Sequence, residues 1–192
     1  MDDGFPVPSV DPQQTAAPDG VRALLRAATR DQHAAVDGAF GSFGLDTPEG
    51  YRRFLRVHAR ILPIAEAWLA PGEILDGWVG RTSALLADLT ALGIEIPEAI
   101  TLDLPRGDGA RWGAVYVLEG SRLGGAMIRK SLDAGWPAAF LSAQHPPGGW
   151  QRIVDALEHA DGGTAWRSDA ISGARAMFEA YGDAGRQERD AG

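Results

Sequence analysis

Cysteine is absent from the 192 residues. No disulfide can form, and no thiolate can ligate a metal or act as a nucleophile, which excludes zinc ribbons, iron–sulfur clusters and cysteine hydrolases. Apolar runs long enough to span a bilayer are also missing, as is a basic segment followed by an apolar one near the first residues. A soluble, cytoplasmic protein with no membrane partner is the expectation. Positive charge is in deficit, with 18 Lys and Arg against 26 Asp and Glu for a net -8, which disfavours nucleic acid as a partner. Period-two apolar alternation is scarce, so a sheet is hard to build.

What is present is a hydrophobic share of 45%, enough for one domain with a single core. Residues 1–20 carry four prolines and little to bury, and are expected to be a disordered leader. Residues 182–192 are polar and glycine-punctuated and are expected to be a flexible tail, leaving residues 21–181 as the folded domain. No internal repeat is visible. The class is all-α. Helices are expected from Val21 to Gly38 with Asp19 as cap, from Thr47-Pro48 through Ala70 with a kink or split at Pro63, and from Arg81 to a stop at Gly93. Three more follow: Asp108 to Ala134, Trp150 to Ala160, and Asp169 to Tyr181.

The first helix carries a histidine with company. At about 100° per residue, Arg22, Arg26, Thr29, His33, Asp37 and Phe40 fall along one line. A neutral imidazole ligates iron through one nitrogen while the other is held by a second acceptor, a place that Asp37 at i+4 can fill. Arg26 and Arg22 lie further along, where the carboxylates of a heme would find cations. A surface histidine in a salt-bridged helix face has the same spacing. His58, His145 and His159 show no such grouping and are not expected to be ligands.

The fourth helix is apolar yet interrupted by Gly113, Gly120, Gly124 and Gly125. Each interior glycine costs about 1 kcal/mol relative to alanine, so something must compensate. Gly113, Tyr116, Gly120, Gly124 and Met127 form one stripe at helical spacing. Such a stripe lets either a flat ligand or a second helix approach the backbone. A heme held by His33 would turn its other face to this stripe, where glycine leaves room for dioxygen.

Both segments match a known pattern. LRAATRDQHAAVD resembles the proximal-helix motif of heme oxygenases, and WGAVYVLEGSRLGG resembles the distal-helix motif of their bacterial branch, the biliverdin-producing enzymes often encoded beside bacteriophytochromes. The resemblance covers roughly Val21 to Tyr181. It implies a compact multi-helix bundle with heme as both cofactor and substrate, cleaved to biliverdin, carbon monoxide and ferrous iron. It implies His33 as the axial metal ligand, and Gly120, Ser121, Gly124 and Gly125 as the distal catalytic contact. Arg26 and Tyr116 fall where the family binds a propionate, and Thr29 shares the heme-binding column. Electrons would come from a ferredoxin, flavodoxin or reductase, and a bacteriophytochrome would be a partner receiving biliverdin. Two positions depart from the pattern. Ser121 stands where mammalian-type members carry an aspartate, and Ala126 stands where a glutamine is common. Glu119 is expected to be either structural or part of a proton network.

Other classes compete. A heme store or sensor would keep His33 without turnover. A thiamine-degrading enzyme of this fold uses a cysteine, which is absent, and a di-iron enzyme needs paired Glu-x-x-His motifs, which are also absent. An interaction module leaves the internal glycines without a purpose. Arg22, Arg26 and Arg30, with Arg52, Arg53 and Arg56, are expected to form a basic rim facing an acidic electron donor.

Overall fold

The computed structural model describes residues 20–69, 74–133 and 135–191. Among these there are eight helices and no strand. The expected leader, residues 1–19, and the expected cap Asp19 lie outside the described residues. Among the described residues, no helix is long and apolar enough to cross a membrane.

The first expected helix is two segments, α1 (Val21–Ala28) and α2 (Arg30–Gly41). The break is at Thr29, whose hydroxyl donates to the Leu25 carbonyl at 2.8 Å. Such back-bonding by a β-branched residue bends a helix. The His33 amide still donates to the Thr29 carbonyl at 2.9 Å, so the column continues around the bend. The start of α1 is capped from elsewhere. The amides of Val21 and Arg22 donate to the Glu158 carboxylate at 2.7 and 2.9 Å, which places a negative charge where the helix dipole favours one.

Helix α3 (Pro48–Leu69) begins as expected, with the Gly50 amide donating to the Thr47 hydroxyl at 3.1 Å. It runs unbroken through Pro63, so the expected split does not occur. A proline removes one bond and disturbs the carbonyls of the preceding turn. One of these, on Arg60, is taken up by the Ile100 amide at 3.1 Å. Helix α4 (Thr82–Ala91) ends before Gly93, whose φ of 63° only glycine adopts freely. A one-turn helix, α6 (Ala139–Ser142), escaped the sequence reading. It is too short for a periodicity, and its first amides hang on the buried Asp88 carboxylate at 2.8 and 2.9 Å.

Helices α5 (Asp108–Ser131) and α8 (Thr164–Asp190) form the most extensive pair. They run parallel at close range because both are stripped of side chains at the contact. A Cβ added at Gly113 would collide with the Ala170 carbonyl, and one at Gly173 would collide with the Ala110 carbonyl. Gly113 therefore belongs to a helix–helix seam and not to a ligand surface, which corrects part of the expected stripe. The expected flexible tail is also corrected, since α8 is helical to Asp190 and buries Gly182, Ala184 and Gly185. A Cβ on Gly185 would already press on Ala39 and Phe40 of α2. Small residues look like a tail in composition and act as a packing face in the fold. Helix α7 (Gly149–His159) completes the bundle against α1 and α5. Leu55, Ile61, Leu62, Leu85, Leu89, Val115 and Met177, all fully buried, form the core beneath.

Candidate heme site

A cavity of about 690 Å³ opens between the α1–α2 column and the second half of α5. That is within the usual range for small-molecule sites. The column lines one side with Arg22, Arg26, Thr29, Arg30, His33, Asp37 and Phe40. Tyr116, Gly120, Ser121, Gly124 and Gly125 line the other. The two separately read segments thus face one space.

The His33 ring lies 2.9 Å through Nδ1 from the Asp37 carboxylate, with side chains 61% and 68% exposed. A carboxylate only accepts, so Nδ1 carries the proton and a neutral ring keeps its lone pair on Nε2, the form in which imidazole ligates iron. Phe178 packs edge-on against the same ring at 5.4 Å. Thr29 is on the wall, but its hydroxyl is committed to Leu25. Tyr116 is half-buried. Burial pushes its phenol pKa up, opposed by the charges of Arg22 and Arg26. The side chains of Arg22, Arg26 and Arg30 have no ion pair among the described residues. The arginines of α3 are engaged instead: Arg52 donates to the Leu92 carbonyl, Arg53 pairs with Glu49, and Arg56 pairs with Glu49 and Glu188. Of the six arginines of the expected basic rim, the three of the column line the cavity.

On the α5 side, a Cβ at Gly124 would meet open space, and one at Gly120 would make ordinary contact with Trp150 at 3.5 Å. One at Gly125 would press on Leu141 of α6 at 3.2 Å, so Gly125 touches the cavity only through its flank. The Ser121 hydroxyl donates to the Leu118 carbonyl at 2.6 Å and accepts from Arg81 at 2.8 Å. Ala126 is half-buried beside it and does not line the cavity.

Sequence reasoning missed the far end of the cavity. Phe54, His58, Phe178 and Tyr181 close it. His58 was set aside as a ligand, yet it stands on this wall. Its Nδ1 donates to the Phe54 carbonyl at 2.8 Å, and burial pulls its pKa down to about 3, so the ring is neutral. The Tyr181 hydroxyl is buried with no hydrogen-bond partner among the described residues, as is Arg81 Nε. Burial pushes the Tyr181 pKa up, so the phenol remains a donor. Buried polar atoms of this kind are usually satisfied by a ligand or an ordered water. Arg81 is held above Phe140 at 4.9 Å, and its amide donates to Glu66 at 2.6 Å. A buried arginine in a loop leaves no periodic signal. Phe178 and Tyr181, three apart on α8, do, although the same spacing suits plain core.

Glu119 takes the structural role. It is buried on the other side of α5, accepting from Trp78 Nε1 and Arg122 Nε, both at 2.8 Å, with His145 Nε2 at 3.4 Å. It lines a second cavity of about 420 Å³ and not the first. His159 is exposed on α7, away from both.

The chain is similar to the heme oxygenase of Xanthomonas campestris pv. campestris (strain 8004), with 36% identity over 151 residues that span 73% of this chain and 90% of that one. Its fold matches the NO- and CO-bound heme oxygenase from Neisseria meningitidis with a TM-score of 0.76 and 25% identity, over 88% of this chain and 92% of the other. No family model matches.

Proposed function

The chain belongs to the heme oxygenase family, and on that premise we propose that it degrades heme in the cavity between the α1–α2 column and α5. The observation that carries the assignment to this cavity is the facing of a carboxylate-held imidazole, His33, by the open glycines Gly120 and Gly124. Orphaned donors at Tyr181 and Arg81, near a space of this size, fit a planar ligand accompanied by ordered water. Heme supplies the iron that activates dioxygen and is itself consumed, so no protein nucleophile is required. Biliverdin, carbon monoxide and ferrous iron are the products in this reading.

The protein's part is to hold, orient and protonate. His33 Nε2 would hold the heme iron, with Asp37 fixing the tautomer and raising its basicity. Arg22 and Arg26 would hold the propionates by charge, with the Tyr116 hydroxyl donating to one of them. Gly120 and Gly124 keep the opposite face free of side chains. Ser121 is oriented by Arg81 and, with the Tyr181 hydroxyl, anchors the waters that deliver protons. Thr29 supports the His33 side through its bend, and Gly125 supports the opposite side through its seat on α6.

Arg22, Arg26 and Arg30 form a small cationic rim at the mouth, suited to an acidic ferredoxin, flavodoxin or reductase as electron donor. Delivery of biliverdin to a bacteriophytochrome in the cytoplasm belongs to the same reading.

The test is hemin titration of the wild type and of His33→Ala. The expected result is a Soret band and a ferrous–carbon monoxide spectrum in the wild type, both altered in His33→Ala and retained in His145→Ala and His159→Ala. An unchanged His33→Ala spectrum removes the ligand assignment.

A further inference from the structure

We propose that Trp150 is a specificity-determining wall of the cavity, which sets the in-plane rotation of the bound porphyrin and so selects the bridging carbon that is cleaved. The inference rests on the heme reading above. Ligation through His33 alone would leave a flat ring free to turn about the bond to iron. Which meso carbon lies beside the open glycines is then decided by contacts at the ring perimeter. The three arginines of the rim attract carboxylates but are exposed, and their side chains form no ion pair among the described residues. Long side chains of this kind hold the carboxylates over a range of ring positions, so a fixed contact at the perimeter narrows the angle further.

Trp150 is different in kind. It lines the heme cavity at the Tyr116 end, with the two ring centroids 6.1 Å apart. Its outer edge lies 3.5 Å from the place a Cβ on Gly120 would take. The indole is braced from behind. The His145 ring stands 6.3 Å from it, and His145 Nε2 lies 3.2 Å from the Glu119 carbonyl. Glu119 is in turn pinned by Trp78 and Arg122. The residue leads into α7 directly after Gly148, whose φ of 73° is a glycine conformation, and Gly149, where a Cβ would press on His145 at 2.8 Å. A rigid aromatic plane is thus fixed against the glycine floor.

His145 and Gly149, which neighbour the indole, also line the second cavity. Removing the indole would enlarge the heme cavity at this end. The ring perimeter at this end would lose its stop, and the opposite end, built of Phe54, Phe178 and Tyr181, would not replace it.

The experiment loads wild type, Trp150→Phe, Trp150→Leu and Trp150→Ala with hemin. Proton NMR of the cyanide-inhibited ferric complexes reads ring orientation from the shifted methyl resonances, without turnover. Chromatography of the open-chain tetrapyrroles after reductant-driven turnover reads the isomer ratio. We expect a second methyl pattern and an isomer ratio changed by about tenfold, equivalent to about 1.4 kcal/mol, in Trp150→Ala and Trp150→Leu. Trp150→Phe should keep the wild-type pattern. Hemin-binding variants that all share the wild-type methyl pattern and isomer ratio overturn the role of Trp150. If Trp150→Ala does not fold, Trp150→Leu decides on the same two readouts. A wild type without a His33-dependent Soret band overturns the heme reading itself, a different failure.

Discussion

The two halves of α5 use the same residue for opposite purposes. In the first half, Gly113 is pressed against the Ala170 backbone of α8, with no room for a methyl group. In the second half, Gly124 meets nothing and Gly120 meets only the edge of Trp150. The three lie on one stripe of one helix. What changes along the stripe is the partner. α8 runs parallel to α5 and offers Ala170, Gly173 and Ala174 first, then Met177, Phe178 and Tyr181. Small residues let the helices touch, and larger rings further along stand off from α5 and border the cavity. Interior glycine is a cost of about 1 kcal/mol in either half. The first half recovers it in close packing within the protein. The second half leaves it unrecovered until a ligand arrives.

The largest effect is expected at the closed half. Gly113→Ala should lose about 3 kcal/mol, seen as a fall of roughly 10 °C in Tm by circular dichroism, because the added carbon strikes backbone that cannot rotate away. A Tm within about 2 °C of wild type would mean that the two halves do not differ.

An acid titration probes the open half through His58. Its pKa is lowered from 6.5 to about 3 by burial in the cavity wall. Between those values the unfolded chain binds a proton that the folded chain refuses, so stability is complete above about pH 6.5 and is lost as pH falls. At pH 5 the loss from this group is about 2 kcal/mol, or roughly 5 °C in Tm. His58→Gln should flatten that part of the profile, and an equal slope in both proteins would place His58 in a wetter setting.

The smallest effect has the opposite sign. Gly124→Ala should raise the Tm of the ligand-free protein by about 3 °C, as helix propensity is gained at no steric cost. Gly124→Leu should fold equally well and bind hemin more weakly, since its side chain enters the cavity. Loss of stability in Gly124→Ala would extend the seam along the whole helix and erase the contrast.

The amino-acid sequence by itself determined the helical class, the start of α3 at Thr47-Pro48, the stop near Gly93, and the column that holds His33 above Asp37. All of these depend on spacings of a few residues, where local geometry is nearly independent of the rest of the chain. It also marked the glycines of α5 as requiring compensation. It could not say which of them face a helix and which face a cavity, because that depends on residues more than fifty positions away on α8. The same distance hid the cap that Glu158 places on α1, the engagement of Arg56 by Glu188, and the burial of Ala184 in what looked like a tail. His58, Trp150 and Tyr181 come to the cavity from three separate helices, and Arg81 reaches its wall only through Ser121. Periodicity reports which side of one helix is apolar, and only the packing of several helices decides what that side meets.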